Sequence, residues 1–492
     1  MPLLDFSSAK YSLSIGGEDM KLTQLTVNLQ FNAPPMVTGS AIPAKLVDKK
    51  VVPASDTSIF WDAYKKADKA VGKESINLRI GSIGEEGGIG FNAQGWILGS
   101  ADVSVAASAE AGGHEINFTA MHPICNLERY PANIGPASPS PSYGDVKGSN
   151  FIDVVKSAME AYMKKVPKST KEQPGYKLMQ EGKDKLTEYL QCEGVDISKL
   201  AGIFKGISSQ KNVEDGFRKY ILSCLESGGE NSSMWEFVLG SLAATLSLRL
   251  WMDKSDLSAK RLKLKPSVPY TPEKVQISTS EIASIYSNSG DWVKCTGVST
   301  WAAGPTGLPW NAAHQYDMDK FVPSAYCSVV AKEKMLKMFS VNLPGWFEAV
   351  ANHCSPPTWN GPFHADDAVD MEKWCRIIKS VSCKKLLTQQ LLDLYRQGTD
   401  IYVKKVFSFK DSNGSIIIPG MTCCINDGGG GAGLMFNIAS VQHNFNMNNK
   451  QAETVLRGNY VRAGDFSLEV EGGEDSTLIM NGCSRNKNYI WS

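Results

Sequence analysis

The chain has no net charge, because 51 Lys and Arg residues balance 51 Asp and Glu residues among its 492 residues. A protein held on nucleic acid or on an anionic membrane by its overall field carries an excess of basic residues that neutralises phosphates. Specific nucleic-acid binding is therefore not expected. Weak self-repulsion also permits close association with other protein surfaces.

Histidine is scarce, with six residues, and none stands in an HExxH or other paired arrangement. A catalytic metal is therefore not expected, and no cofactor is predicted. The glycine clusters at 84–90 and 428–433 are not followed by Lys-Ser or Lys-Thr and a helix, so they lack the context of a phosphate-binding loop. His114 and His122, at the ends of a predicted strand, are interpreted as structural or interface residues.

Hydrophobic runs long enough to span a bilayer are absent. The most apolar run, Phe237 to Leu250, contains Arg249 and is predicted to be a core helix. The first residues show no basic stretch followed by an apolar core, so no secretory signal is predicted. The 11 cysteines have no zinc-ligand spacing, and we interpret them mostly as buried thiols of a protein assembled in a reducing cytoplasm.

One set of residues could be drawn as a nucleophilic site. Cys354 follows His353, and His364, Asp366 and Asp367 lie downstream. A Cys-His-Asp arrangement can activate a thiol, but only when the fold brings the three groups together. Nothing in this spacing is diagnostic, so we interpret these as loop residues and predict no catalytic residue.

Alternation with a period of two is the strongest pattern present. From Leu25 to Phe31, apolar and polar residues alternate without exception, which predicts a strand with one buried face. The stretches Trp96 to His122 and Phe436 to Val461 each predict a hairpin of similar shape. The chain therefore contains two β modules, each ending in a hairpin.

The sequence between the two modules has the hydrophobic spacing of helices. A Pro/Ser/Gly stretch, Pro131 to Gly148, ends the first module, and the run from Lys260 to Pro272 precedes the second. Helices are predicted there from Phe151, and at Lys177 to Gln191, Val213 to Leu225 and Ser233 to Trp251. Two more, Asp370 to Val381 and Leu386 to Gln397, are predicted in an insertion within the second module. The predicted divisions are a first barrel (1–145), a helical domain (146–265), the start of a second barrel (266–300), a mixed insertion (301–399), the rest of the second barrel (400–470) and a tail (471–492).

Three segments together resemble the central baseplate hub protein of contractile-tailed phages, a family related to late control protein D and to the hub portion of type VI secretion spike proteins. They are the opening YSLSIGGEDMKLTQLTVNL, the segment GWILGSADVSVAASAEAGGHEINFTAMHP, and the run from IIIPGM through FNIASVQHNFNMNNKQAETVLRGNYVR. The resemblance implies an α+β fold with two tail-tube-like antiparallel β-barrels, a helical domain between them and a mixed insertion in the second barrel.

The resemblance also implies a homotrimer whose two barrels per subunit give a pseudo-six-fold ring. Such a ring matches a hexameric tail tube protein on one side and a trimeric spike protein, a separate chain, on the other. The implied location is the tail baseplate of a virion, among other baseplate proteins, after assembly in the host cytoplasm. A genome passes through the channel of such a ring without specific binding.

Eight residues of the two hairpins are candidates for the inner tube wall or for contacts between barrels, although ordinary barrel core explains them equally well. They are Val103, Val105, Phe118, Val441, His443, Phe445, Leu456 and Tyr460.

The residues also leave two other functions open. One is a cell-wall hydrolase that uses the aromatic-rich region 301–374, and the other is a host-binding adhesin at the tail tip.

Overall fold

A computed structural model describes residues 9–47, 50–53, 57–82, 90–105, 114–202, 204, 208–227, 232–257, 259–266, 274–288, 293–301, 324–331, 334–342, 345–354, 400–426, 434–447, 449 and 451–460. The strands are β1 (Ala9–Ile15), β2 (Glu18–Gln30), β3 (Met36–Val47), β4 (Lys50–Pro53), β5 (Glu74–Ser82), β6 (Phe91–Val105), β7 (His114–Met121), β8 (Leu190–Cys192), β9 (Leu248–Trp251), β10 (Leu262–Pro266), β11 (Lys274–Ser278), β12 (Ile282–Asn288), β13 (Val293–Trp301), β14 (Ser324–Ala331), β15 (Lys334–Asn342), β16 (Asp400–Val406), β17 (Thr422–Asn426), β18 (Leu434–Asn446) and β19 (Gln451–Tyr460). The helices are α1 (Thr57–Ala70), α2 (Phe151–Lys165), α3 (Lys168–Lys171), α4 (Pro174–Tyr189), α5 (Gln210–Ser227), the π-helix α6 (Glu236–Ala243) and α7 (Gly345–Cys354).

Six strands of the first module close into an antiparallel barrel. Each strand pairs with the next in the circular order β1, β2, β3, β7, β6, β5 and back to β1. Gly16 and Gly17 make the β1–β2 turn with φ angles of 60° and 87°, a backbone conformation that glycine adopts without strain. Helix α1 packs Phe60, Ala63 and Ala67 into the same buried core. The antiparallel barrel predicted for the first module is confirmed.

The middle of the chain forms a helical domain with its own core. Helix α2 begins after Asn150, whose side-chain oxygen accepts a hydrogen bond from the Ile152 amide at 3.1 Å and so caps the helix. The buried residues of α2, α4, α5 and α6 face one another in this core.

None of the helices among the described residues is long and apolar enough to cross a membrane.

The helix predicted from Ser233 to Trp251 is wrong at its C-terminal end. The π-helix α6 and the helical residues after it stop before Ser247, whose φ of 55° is incompatible with continuing the helix. The next residues form β9, which pairs antiparallel with β10. Both strands carry buried leucines, so periodicity alone could not separate this buried strand from a buried helix.

Helix α7 belongs to the core of the helical domain, although it begins 79 residues after the end of β10. Trp346 and Phe347 are fully buried, the Trp346 indole N–H donates to the Thr245 carbonyl at 2.9 Å, and the Phe204 and Phe347 rings stack at 5.3 Å. Trp346 is therefore unavailable to stack on a sugar, which corrects its place in the glycan-binding surface considered for region 301–374. The helices predicted at 370–381 and 386–397 lie outside the described residues.

The second module contributes six strands, which pair in the order β11, β17, β18, β19, β16, β12. The β11–β17 pairing is parallel, so the wholly antiparallel arrangement expected for this module is wrong at that pair. The first and last strands of this path are consecutive in the chain and are joined by the single 3₁₀ turn Thr279–Glu281. The stretch 266–300, predicted to begin this module, divides in the structure. Strands β11 and β12 join the path, whereas β13 pairs with β14 in a separate three-stranded sheet.

Candidate assembly surface

In the part of the chain that the structure describes, one strand pair joins the two β modules. Strand β2 of the first module pairs antiparallel with β18 of the second through Gln24 to Gln30 and Ser440 to Asn446. We call this pairing the internal seam. Because β2 and β18 also keep partners inside their own modules, all the strands of both modules belong to one 13-stranded sheet.

A β-bulge lets each seam strand serve two partners along one edge. Strand β2 pairs with β1 up to Met20 and then changes register against β3 at Thr23. Strand β18 pairs with β17 up to Asn437 and changes register against β19 at Ala439. A bulge bends its strand and increases the local twist, which turns the second half of each strand away from its own module.

Main-chain hydrogen bonds at the two bulges mark both ends of the internal seam. The Phe31 amide, just past β2, donates to the Ala439 carbonyl at 2.8 Å. The Met447 amide, just past β18, donates to the Thr23 carbonyl at 2.9 Å. The seam therefore runs from bulge to bulge with local two-fold symmetry.

One face of the internal seam is apolar and belongs to a core shared by both modules. Three pairs of side chains lie opposite each other on it, and all are buried: Leu25 with Phe445, Val27 with His443, and Leu29 with Val441. Three of the predicted assembly residues thus lie at the contact between the modules of one chain. A part for them in contacts between copies stays a prediction.

The remaining predicted assembly residues lie in the two hairpins. Leu456 is buried opposite Val441, and Phe118 is buried opposite Ala101. Val103 is half-buried against the barrel core. Val105 and Tyr460 end their strands, and their side chains lie outside the description.

His443 is the one titratable side chain of the internal seam's apolar face. It is fully buried, its Nδ1 lies 2.9 Å from the Thr454 hydroxyl, and the rings of Phe407 and Phe409 pack against it at 5.8 and 4.5 Å. Burial, with a smaller contribution from the charge of Lys405, lowers the pKa of His443 to about 3. The imidazole is therefore neutral at physiological pH.

His122 is a second buried histidine, at the exit from the first barrel. Its Nδ1 accepts from the Ile124 amide at 3.2 Å, which leaves the proton on Nε2 to donate to the Ala259 carbonyl at 3.0 Å. Burial lowers the pKa of His122 to about 4. Protonation of Nδ1 would break the bond that begins the following 3₁₀ helix.

Acid is expected to destabilise this protein through these two histidines. Their pKa values in the folded state, about 3 and about 4, lie below the 6.5 of an exposed histidine. The unfolded chain therefore binds more protons as the pH falls below about 6.5, and each histidine lowers the free energy of unfolding by about 1.4 kcal/mol per pH unit. Urea unfolding from pH 7 to pH 4 should show this slope, and His443→Gln should reduce it. An unchanged slope in the variant would contradict the assignment to His443.

The opposite face of the sheet is polar and crosses both modules. It runs over eight strands in the order β6, β7, β3, β2, β18, β19, β16 and β12. We call it the polar face. One row across it consists of Asp102, Asn117, Ser40, Gln24, Asn446 and Gln451, and the next consists of Ser100, Thr119, Thr38, Thr26, Asn444 and Glu453.

Side-chain hydrogen bonds tie the polar face together across the strands. Ser40 donates to Asn117 Oδ1 at 2.6 Å in the first module. At the internal seam, Thr26 donates to Asn444 Oδ1 at 3.2 Å, and Asn444 Nδ2 donates to Glu453 at 3.2 Å. Glu453 also forms an ion pair with Lys404 of β16. The face is therefore hydrophilic with little net charge.

Solved structures of tail proteins align along most of this chain. They include a tail protein from Neisseria meningitidis MC58 (12% identity, 92% of this chain and 96% of that chain, TM-score 0.40) and the 43 kDa tail protein of prophage MuSo2 from Shewanella oneidensis (9% identity, 92% and 98%, TM-score 0.39). A third is a component of the Escherichia coli type VI secretion system, described as similar to the bacteriophage T4 tail proteins gp27 and gp5 (7% identity, 92% and 78%, TM-score 0.37). No family model and no curated protein matches the chain.

Similarities of this size do not establish a common function, so we base the function on the geometry of the chain itself.

His353 and Cys354 are half-buried at the end of α7. Burial raises the pKa of Cys354 and lowers the pKa of His353, which keeps the thiol protonated and the imidazole neutral. His364, Asp366 and Asp367 lie outside the described residues. Within the described residues, no group of three or more His, Cys, Asp and Glu side chains could hold a metal ion.

Neither the internal seam nor the polar face was predicted from the sequence. The Leu25 to Phe31 alternation indicated a half-buried strand, but not that β18 is its partner. The polar residues that alternate with the apolar ones in this strand are the signal that could have indicated a partner strand. Thr26 and Asn28 carry short hydrogen-bonding side chains rather than the long charged ones of a freely solvated edge.

Proposed function

We propose that this chain is the structural hub of a phage tail baseplate. Three copies form a ring of six β modules around a channel, and the ring joins a hexameric tail tube to a trimeric central spike. The observation that carries the proposal is the sheet that runs unbroken through both modules, with a core on one side and the polar face on the other. A continuous wall of this kind is what a ring around a channel requires.

The chemistry of the polar face suits a channel through which a genome passes. Binding of a nucleic-acid backbone depends on basic residues that displace its counterions. Lys404 on this face is paired with Glu453, and the Arg457 guanidinium lies 5.6 Å from the Tyr402 ring centroid. Amide and hydroxyl side chains fill most of the described remainder. Such a wall is hydrated by water but offers few unpaired basic groups to bind the phosphates of a nucleic acid.

The two modules supply the symmetry that an adaptor needs. Both end in a long hairpin, β6–β7 in the first and β18–β19 in the second, with a bulge at the same place. We propose that the second module is also a barrel, with β11 and β12 acting as one bent strand that joins both ends of its sheet. Two similar modules in each of three copies present six similar surfaces to a hexameric tube and a three-fold axis to a spike.

This function is structural and not enzymatic. Its partners are further copies of the chain, the tail tube protein, the spike protein and other baseplate proteins, and its place is the tail of the virion after assembly in the host cytoplasm. The basis of assembly is main-chain pairing and apolar contact between modules.

The mass of the purified chain in solution tests this proposal. Light scattering over a range of concentrations should give a mass three times the 53.6 kDa of one chain. Addition of purified tail tube protein should shift that particle to a larger mass, whereas a lysozyme of unrelated origin, added as a control, should not. A mass of one chain at every concentration, with or without the tube protein, would contradict the hub function.

A further inference from the structure

The two long hairpins correspond to each other residue by residue. The β6–β7 register shifts between Leu98 and Ser100, and the β18–β19 register shifts between Ile438 and Ser440. A small residue occupies the bulge in each case, Gly99 in β6 and Ala439 in β18. The correspondence therefore places Ser100 at the position of Ser440 and Ser104 at the position of Asn444.

A second pair of strands corresponds in the same way. The β2–β3 register shifts between Leu22 and Gln24, and the β12–β16 register shifts between Ile282 and Ser284. Strand β3 continues to β7 as β16 continues to β19, so the four-strand order is the same in both modules. Strand β12 therefore holds the place that β2 holds in the first module.

The internal seam pairs β2 of the first module with β18 of the second, and within the described residues the corresponding strands, β12 and β6, have no such partner. After its bulge, β18 pairs with β2 along the edge that faces away from β19. After its bulge, β6 has a partner within the described residues only on the β7 side. Likewise, β16 is the only strand paired with β12 in the part of the chain that the structure describes. Among the described residues, neither edge has a strand partner, and helix α1 packs beside β6. The two edges lie at opposite ends of the polar face.

The side chains beside the open edge of β12 are apolar and exposed. Ile285 is 45% exposed and Tyr286 is 65% exposed. Leu25, the residue of β2 that corresponds to Ile285, lies opposite Phe445 in the internal seam and is only 2% exposed. An unpaired edge with exposed apolar side chains is a template for another strand.

We propose that β6 of one copy pairs antiparallel with β12 of a second copy, in the register of the internal seam. The inference rests on the proposed function, because this contact is the one that closes the ring. The correspondence of the strands alone determines which residues lie opposite each other in this pairing. It places Asp102 opposite Asn288, Val103 opposite Ser287, Ser104 opposite Tyr286 and Val105 opposite Ile285.

The hydrogen-bonding pattern identifies the position for a cross-link. In the internal seam, the bonds from Phe31 to Ala439 and from Met447 to Thr23 make the odd-numbered residues of β2 hydrogen-bonded pairs. Thr26 and Asn444 are therefore a non-hydrogen-bonded pair, whose Cα atoms lie about 4.5 Å apart in a regular sheet. A disulfide bridges Cα atoms about 4.4–6.8 Å apart. Ser104 and Tyr286 are the corresponding pair between copies.

The test is a disulfide between copies of the full-length chain. With Ser104→Cys and Tyr286→Cys in one chain, mild oxidation should convert the assembled protein to covalent species larger than one chain on a non-reducing gel. Each single variant, and the parent chain with its native cysteines, should remain at the mass of one chain. Ser104→Cys with Ser284→Cys displaces the pair by two residues on the same face, so it should cross-link much less.

A second variant tests the edge without a new covalent bond. Ile285→Lys should leave one copy folded, because Ile285 is exposed there, and should lower the solution mass toward that of one chain. Leu178→Lys, at a residue of α4 with a similar exposure of 42%, should leave the assembly intact.

The outcomes separate this inference from the proposed function. A trimer whose Ser104→Cys and Tyr286→Cys double variant forms no cross-link, and which tolerates Ile285→Lys, would overturn the inference and leave the hub function standing. A parent chain that is monomeric at every concentration would overturn both. A cross-linked trimer that Ile285→Lys dissociates would support both.

Discussion

Glu281→Ala is expected to lower the free energy of unfolding by about 3–5 kcal/mol, although Glu281 is itself partly exposed. The reason is that Glu281 is the counter-ion of a buried lysine, Lys405. The Lys405 side chain has no exposed surface, and its ammonium lies 3.1 Å from Glu281 Oε2. Without the carboxylate, a buried positive charge would lose its counter-ion.

The fold explains how this lysine is held. Lys405 occupies a buried position of β16 that corresponds to Ala41 in β3 of the first barrel. Glu281 ends the 3₁₀ turn between β11 and β12, and its other carboxylate oxygen accepts from Ser412 at 3.1 Å. The ion pair therefore connects the turn to the strand that lies beside it.

A double-mutant cycle measured by urea unfolding tests this prediction. Lys405→Met removes the buried charge, so Glu281→Ala should cost much less in that background. The exposed pair between Lys66 and Glu18, at 2.5 Å, is the matched control, because Glu18 is 36% exposed and Glu281 is 33% exposed. Glu18→Ala should have a far smaller effect on the urea midpoint, since water screens that pair. An equal cost for Glu281→Ala in both backgrounds would show that Lys405 is not the cause.

Gly420→Ala is expected to destabilise the protein by about 2–4 kcal/mol, from backbone strain and overpacking together. Gly420 has a φ of 95° and lies where three parts of the chain meet. A Cβ there would lie 2.5 Å from the Trp251 ring and 2.7 Å from the Phe31 ring. Those rings form an edge-to-face pair, with centroids 5.0 Å apart, between the end of β9 and the end of β2. The Trp251 side chain is 4% exposed, so its ring has little room to move away from a Cβ.

Gly414→Ala separates the two contributions. Gly414 has a similar φ of 82°, but nothing lies within 4 Å of a Cβ at that position. This variant should therefore show only the backbone strain, about 1–2 kcal/mol. The difference in urea midpoint between the two variants measures the packing at the junction. Equal midpoints would contradict the account of Gly420 as a close-packed joint.

The local part of this fold could be predicted from the sequence, because period-two alternation is a local signal. The strand at Leu25 to Phe31 and the hairpins around Phe118 and His443 follow from it. The Ser233 to Trp251 helix failed in its last residues, where an apolar run without clear periodicity fits a buried strand equally well.

The parts that could not be predicted depend on pairing between distant residues. Val27 and His443 are more than 400 residues apart, and alternation identifies the buried face of each strand without naming its partner. The burial of Lys405 could not be predicted either, since a lysine in a strand is normally read as solvated. The polar face exists only after the internal seam has joined the two modules.

The most direct test of the central claim is an axial view of the purified particle by negative-stain electron microscopy. The account predicts a ring of six similar lobes around an open channel, with three-fold symmetry in the outer density that the helical domains contribute. A compact particle without a central opening, or a ring with a number of lobes other than six, would contradict it.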